Sequence, residues 1–269
     1  MKNAKSSYKS ATAPVHSFCL TPAIVLRSWP FGESDKIVSF LTEGYGKLNG
    51  IAKGAKRSRK RFVNTLEPFS LVSLTFKDRT HRSLAFVHAC DLVRPFRNLT
   101  TSLEKIAYAS YILEITEGLT AEREENRALF EHLREGLIFL EEKEPSLSFL
   151  TFFELRLLKL SGYQPALQYC RRCGRSWASD FQTQWRFSPR DGGVLCESCS
   201  SLRKEVIPLS SDALKALANL QGANSLYSPQ LPLPSVALKE GLFVLLRFIQ
   251  FLMNKELKSA PFLDAFSFA

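Results

Sequence analysis

The chain has 269 residues, 45% of them hydrophobic, with six cysteines and a formal net charge of +10. That is enough for one large or two moderate hydrophobic cores. No run of about 18 uncharged apolar residues occurs, which excludes a helical membrane span, and the N-terminus lacks the apolar stretch of a secretory signal.

The charge is segregated along the chain. Residues 1–14 carry Lys2, Lys5 and Lys9 and no acid, and they read as a disordered tail. A cleaved organellar presequence has a similar composition, but the arginines it normally carries are missing. Residues 15–95 hold thirteen Lys/Arg against six Asp/Glu, a net of +7, whereas residues 96–269 hold twenty of each. An excess confined to the first third predicts a polyanion-binding region joined to a neutral one.

Residues 15–95 read as strands. Leu48, Gly50 and Ala52 alternate with Lys47, Asn49 and Lys53, and Val72, Leu74 and Phe76 share one face of Ser70–Lys77. Pro22–Arg27, Lys36–Thr42 and Leu84–Val93 are further short runs rich in β-branched or aromatic residues. Turn signals at Pro30-Phe31-Gly32 and Glu43-Gly44-Tyr45-Gly46 separate them. Five strands over so short a span predict a small closed or nearly closed barrel.

The period changes at Thr101. Thr101 and Glu104 have capping-box spacing, and Leu103, Ile106, Ser110 and Leu113 predict the buried face of a first helix ending at Gly118. Leu129, Leu133, Leu137 and Leu140 mark a second. Ser148 is the expected cap of a third, with Leu150, Phe153, Leu157 and Leu160 inward and Gly162 at its end. A cysteine module interrupts the helices at about 164–203. A short helix over Ser211–Leu220 and a rigid Leu231-Pro232-Leu233-Pro234 connector follow. Leu238, Leu242, Leu245, Ile249 and Leu252 predict a long final helix. The chain is thus expected to be α+β: a β-barrel at 15–95 and a helical region at 96–269 holding the insertion.

Two patterns carry chemistry. Cys170, Cys173, Cys196 and Cys199 form two CxxC pairs separated by 22 residues. Two facing CxxC turns make a tetrahedral S4 cage that suits structural Zn²⁺; disulfides and chance thiols are the bland alternatives. Arg171, Arg172 and Arg175 beside the first pair balance the −2 charge of such a site or, as a second reading, contact DNA. Cys19 and Cys90 read as buried thiols, and a reducing cytoplasm suits the set.

The second pattern is Lys53-Gly54-Ala55-Lys56-Arg57-Ser58-Arg59-Lys60-Arg61-Phe62, six cations in ten residues directly after a predicted strand. Clusters of this kind neutralise phosphates with release of counterions, and Phe62 adds a stacking face. A merely solvated basic loop is the alternative. Arg27, Lys36, Lys47, Arg79 and Arg82 extend the candidate surface. Phe31 and Tyr45 are candidate stacking rings, with barrel core as their bland reading.

Catalytic constellations are missing. His16, His81, His88 and His132 are scattered, and His88 reads as a strand-face residue. No GxxxxGK[ST] or GxGxxG loop occurs, and Glu122, Glu124, Glu125, Glu141, Glu142 and Glu144 read as solvated helix edges. A chain that binds and does not catalyse is expected. The rivals are a zinc-ribbon nucleic-acid-processing enzyme and an adaptor that binds acidic protein tails.

Several segments together resemble a known family: Ala23–Leu26, Gly32–Val38, Leu41–Leu48 leading into Ala52–Lys56, Leu66–Ser70 and then the cysteine module. The chain is similar to the RecO family of bacterial DNA repair and recombination mediators over nearly all of its length after residue 15. The resemblance implies an OB-fold barrel and a helical domain with a zinc-binding insertion. It also implies binding of single- and double-stranded DNA, strand annealing, and action with RecR to help RecA replace single-strand-binding protein in a cytoplasmic, nucleoid-associated setting. Contact with the C-terminal tail of single-strand-binding protein is implied too, without an assignable pocket. Generic OB-folds bind through strands 2–3 and the loops after strands 1 and 4, whereas the basic run follows the third strand.

Overall fold

The computed structural model describes residues 18–78, 84–177, 184–225 and 233–267. The 1–14 stretch, His16, Arg79, His81, Arg82 and the Leu231-Pro232 half of the expected connector lie outside those residues. Five strands, β1 (Cys19–Phe31), β2 (Asp35–Thr42), β3 (Gly46–Ala52), β4 (Ser70–Lys77) and β5 (Ala85–Pro95), close into a barrel of order β1-β2-β3-β5-β4. This is the OB-fold arrangement, and its one parallel pairing, β3 with β5 through Gly50↔Ala85 and Ile51↔Phe86, completes the closure. Closure leaves no free sheet edge to template aggregation.

The expected alternation holds in β3 and β4, where every second side chain is buried. Ala23, Val25, Val38, Phe40, Leu48, Val72, Leu74, Phe76 and Val87 fill the interior. A register shift between Val25 and Arg27 bends β1, the longest strand. A bulge of this kind lets one long strand serve two sides of a small barrel. Phe62 departs from expectation. It is 5% exposed and packs with the barrel core, so its ring is not on offer to a ligand.

Helices α1 (Leu103–Leu119), α2 (Arg127–Glu142) and α3 (Leu147–Leu160) follow. Ser102, not Thr101, caps α1 by accepting from the Lys105 N–H, and Ser146, not Ser148, caps α3 by accepting from the Phe149 N–H. Thr101 instead donates to the Asn98 carbonyl and closes the preceding turn. The face expected to be buried in α1 is only partly so: Leu113 is buried, but Leu103 is exposed and Ile106 and Ser110 are half-buried, while Tyr108, Tyr111, Ile112 and Ile115 are buried. A helix that is apolar nearly all round sits at the centre of its bundle, and a one-sided stripe misreads it. Leu129, Leu133, Leu137 and Leu140 of α2 are buried as the stripe predicts.

The insertion holds a small sheet, β6 (Trp185–Ser188), β7 (Gly193–Leu195) and β8 (Ile207–Leu209), and the single-turn α4 (Glu197–Ser200). Then come α5 (Ser211–Gly222), α6 (Ser235–Met253) and α7 (Ala260–Ser267), the last without counterpart in the expected elements. Its signal was Pro261 in the first turn. Glu114 of α1 satisfies that end, accepting from the Lys258 and Ser259 N–H groups and the Ser259 hydroxyl.

One core crosses the change in secondary structure. Ile24, Leu26 and Leu41 point out of the barrel and join Tyr111, Leu129 and Phe248 in a single buried cluster. A boundary at 95/96 marks where strands give way to helices, and apolar packing continues across it.

Inside this core lies a buried carboxyl. Glu154, 1% exposed, accepts from the Tyr111 hydroxyl at 2.5 Å, and burial pushes its pKa up to about 8, the hydrogen bond lowering it only in part. Its native pKa exceeds the unfolded value of about 4.3. The native state therefore holds a proton that the unfolded chain releases, and this contribution to stability is lost as pH rises toward 8. His132, brought down to about 4 mainly by burial, acts in the opposite direction below about 6.5. Glu154→Gln is expected to flatten the fall in thermal midpoint between pH 6.5 and 8. A fall that matches the parent protein would contradict the assignment.

Candidate nucleic-acid interface and metal centre

The basic run forms an ordered turn against the β1–β2 loop. Gly54 enters it at φ +68, a left-handed conformation that glycine adopts without strain, and Ala55–Arg57 makes one 3-10 turn. Asp35 fixes the entry by accepting from the Gly54 N–H at 2.8 Å. That bond, helped by Ser34, Lys53 and Lys56, holds its carboxyl below the ordinary value. The Lys56 N–H donates to the Ser34 carbonyl and Lys56 Nζ to the Gly32 carbonyl. The run after β3 thus rests on the loop that generic OB-folds use for binding.

The cations divide by their partners. Arg61 donates to the Lys53 carbonyl at 3.1 Å and the His88 carbonyl at 3.4 Å, and its guanidinium lies 5.0 Å from the Phe62 ring. Lys56 and Arg61 therefore brace the turn. Lys53, Arg57, Arg59 and Lys60 are exposed, and no side-chain hydrogen bond or ion pair holds them among the described residues, the field of Lys53 on Asp35 aside. Lys36 is ion-paired to Glu67 at 2.6 Å. Lys47 is half-buried, and its Nζ donates to the Glu117 carbonyl of α1 at 2.7 Å. Lys36 stands at the base of the basic turn as the Cα partner of Ala52, Lys47 lies at the other end of β3, and each has a partner far along the chain. Arg27 sits 5.2 Å from the Trp29 ring on β1. Phe31, beside the turn, is 49% exposed, and Tyr45 packs edge-on to Phe76.

The four cysteines converge. Their Sγ atoms all lie within 4.8 Å of one another, and Cys173 and Cys196 are 3.7 Å apart. Four thiolates at about 2.3 Å from Zn²⁺ form a tetrahedron with edges of about 3.8 Å, so the donor set fits that ion. The first CxxC is held by backbone bonds from Arg171 N–H to the Val194 carbonyl and from Cys170 N–H to the Arg175 carbonyl. The second is the turn from Cys196 into α4. Burial raises the Cys170 thiol, but N–H groups of Cys173, Cys196 and Arg172 outweigh it and bring it down to about 6. Burial and the neighbouring Cys196, Cys173 and Cys170 push Cys199 up to about 12. Thiols packed this closely resist joint ionisation unless a cation neutralises them. The cluster could hold a metal ion. Trp185, Phe187 and Leu195 behind it belong to the main core, with Phe187 edge-on to Phe248 of α6 at 5.3 Å.

Comparison with known proteins gives the lineage. The family described as Recombination protein O N terminal matches residues 17–96, and Recombination protein O C terminal matches residues 100–261. The chain belongs to the RecO family. It is 36% identical over 246 residues to the DNA repair protein RecO of Syntrophus aciditrophicus, covering 91% of this chain and 94% of that one. The protein of the same name from Anaeromyxobacter sp. (strain K) is 34% identical over 241 residues, covering 90% and 94%. That from Caldanaerobacter subterraneus is 31% identical over 246 residues, covering 91% and 97%. The RecO N-terminal match spans the barrel and its basic turn; the RecO C-terminal match spans the cysteine cluster. No helix among the described residues is long and apolar enough to cross a membrane.

Proposed function

We propose that this RecO-family chain is a DNA-binding recombination mediator in DNA repair. It binds single- and double-stranded DNA through the barrel and anneals complementary strands. Together with RecR it helps load RecA onto DNA covered by single-strand-binding protein, whose C-terminal tail it meets through the helical region. It works in the cytoplasm at the nucleoid, and Zn²⁺ held by Cys170, Cys173, Cys196 and Cys199 is structural.

One observation carries the reading: four exposed cations that no side-chain hydrogen bond or ion pair holds among the described residues stand on a braced turn in the part of the chain, residues 1–95, that holds the whole net positive charge. Arg79 and Arg82 follow β4 in sequence and are proposed to add to that field. Lys56 and Arg61 are proposed to hold the turn while presenting charge; Lys36 and Lys47 contribute to the field of the barrel from its flanks. Phosphate contacts of this kind ignore sequence and leave base edges free to find their complements. Lowering the repulsion between two polyanions is what annealing requires.

The test is annealing of complementary oligonucleotides at ~50 and ~200 mM NaCl, with and without single-strand-binding protein. Acceleration that fades at the higher salt supports the proposal, and RecA loading that needs RecR supports its finer part. Annealing indifferent to salt, metal-dependent strand cleavage, or displacement of DNA from the barrel by an acidic peptide with no annealing would each overturn it.

A further inference from the structure

The outer face of the barrel beside the basic turn carries a row of rings that phosphate contacts leave unexplained. Side chains of β5 alternate there: Ala85 and Val87 are buried inside, whereas Phe86 is half-buried and His88 is exposed on the outside. Ile51 of β3 and Lys77 of β4 are the Cα partners of Phe86 on either side. Phe18, one residue before β1, extends the row. Cys19 pairs with Phe76, so Phe18 lies level with Lys77. Its ring is 52% exposed and sits 4.5 Å from the His88 ring, tilted by 41°. The basic turn reaches this row through Arg61, which is bonded to the backbone of both His88 and Lys53.

We propose that Phe18, Phe86 and His88 form a stacking platform for the unpaired bases of single-stranded DNA, whose phosphates Lys53, Arg57, Arg59 and Lys60 hold. This deepens the DNA-binding reading and rests on it. Every base has a π-face, so stacking on an aromatic ring tolerates any sequence. Phe18 and Phe86 stand two strand spacings apart, about 10 Å. That is roughly three times the ~3.4 Å axial step of one strand in a duplex. Bases seated on the two rings must therefore be unstacked from each other, a state open to a single strand and closed to a helix. The cations grip either form; the rings select the single strand. The platform lies on the β1–β4–β5–β3 side and so differs from the strand 2–3 face of generic OB-folds.

The test compares full-length Phe18→Ala/His88→Ala with the parent protein, measuring affinity for oligothymidylate and for a blunt duplex. Both side chains stand outside the barrel, and a matching thermal midpoint verifies the fold. Affinity for oligothymidylate is expected to fall at least about tenfold, with duplex affinity and its salt slope unchanged. The companion Phe18→Tyr/His88→Phe keeps the rings and should retain oligothymidylate affinity. An equal fall for both ligands, or no fall for either, overturns the platform. A parallel Lys53→Ala/Arg57→Ala/Arg59→Ala/Lys60→Ala variant separates the two readings. If it loses both ligands while the ring variant binds normally, the platform fails and DNA binding by the turn stands. If it too binds normally, the underlying reading fails with it.

Discussion

Replacing Cys196 with serine is expected to abolish the proposed metal binding by the four cysteines and lower the stability of the whole helical region by more than about 4 kcal/mol. The size follows from position. Cys170 and Cys196 are each 1% exposed and belong to the same main core as Trp185, Phe187 and Leu195. Without the cation, the remaining thiols resist joint ionisation, and the CxxC turns lose the bonds that fix their spacing. The small sheet then loses its lid, and Phe187 loses its fixed place against Phe248. Cys173→Ser, at an exposed corner, also removes one of the four thiols but disturbs less packing and should be the milder change. The measurements are metal content per chain and the thermal midpoint before and after chelation. Freshly purified protein with well under one zinc per chain and an unchanged midpoint would refute the cage.

The second large effect concerns DNA. Changing Lys53, Arg57, Arg59 and Lys60 together to alanine is expected to cut duplex affinity by on the order of 10²–10³-fold near 0.1 M salt, and to reduce the log–log salt slope by about 3–4. These four are chosen because no side-chain hydrogen bond or ion pair holds them among the described residues, so the loss reads chiefly phosphate contact. Lys56 and Arg61 are left in place because their bonds to Gly32, Lys53 and His88 hold the turn in shape. A slope that does not change would remove the turn as the contact site, whatever happens to affinity. The effect should be uniform across sequences, since no base edge is read.

Much of this was legible in the residues, and the exceptions have physical reasons. Period-2 alternation located β3 and β4 because one face of each is buried and the other is not. Runs of β-branched and aromatic residues between turn signals located the other three strands, β2 being buried on both faces over most of its length. The cysteine spacing located the S4 cluster because ligand geometry is local. Phe62 was misread because a loop residue that folds back into a barrel obeys no period. The face of α1 was misread because a central helix has no polar side to contrast with. Lys36 and Lys47 looked like free cations because Glu67 and Glu117 lie 31 and 70 residues away in sequence. Thr101 and Ser148 stood in for Ser102 and Ser146 because neighbouring hydroxyls fit the same capping pattern, and only backbone geometry chooses between them. Phe18 and His88 gave no sign of meeting. Residues 70 apart in sequence come together only when β1 and β5 flank β4.

The outward-facing Ile24, Leu26 and Leu41 bear on any attempt to excise the barrel. A fragment ending at Pro95 would leave three aliphatic side chains, each at most 5% exposed in the intact chain, facing water in one band. Such a band is a site for self-association. Fragment work would need those three positions made hydrophilic first, and a clumping, inactive truncation would say nothing about where nucleic acid binds.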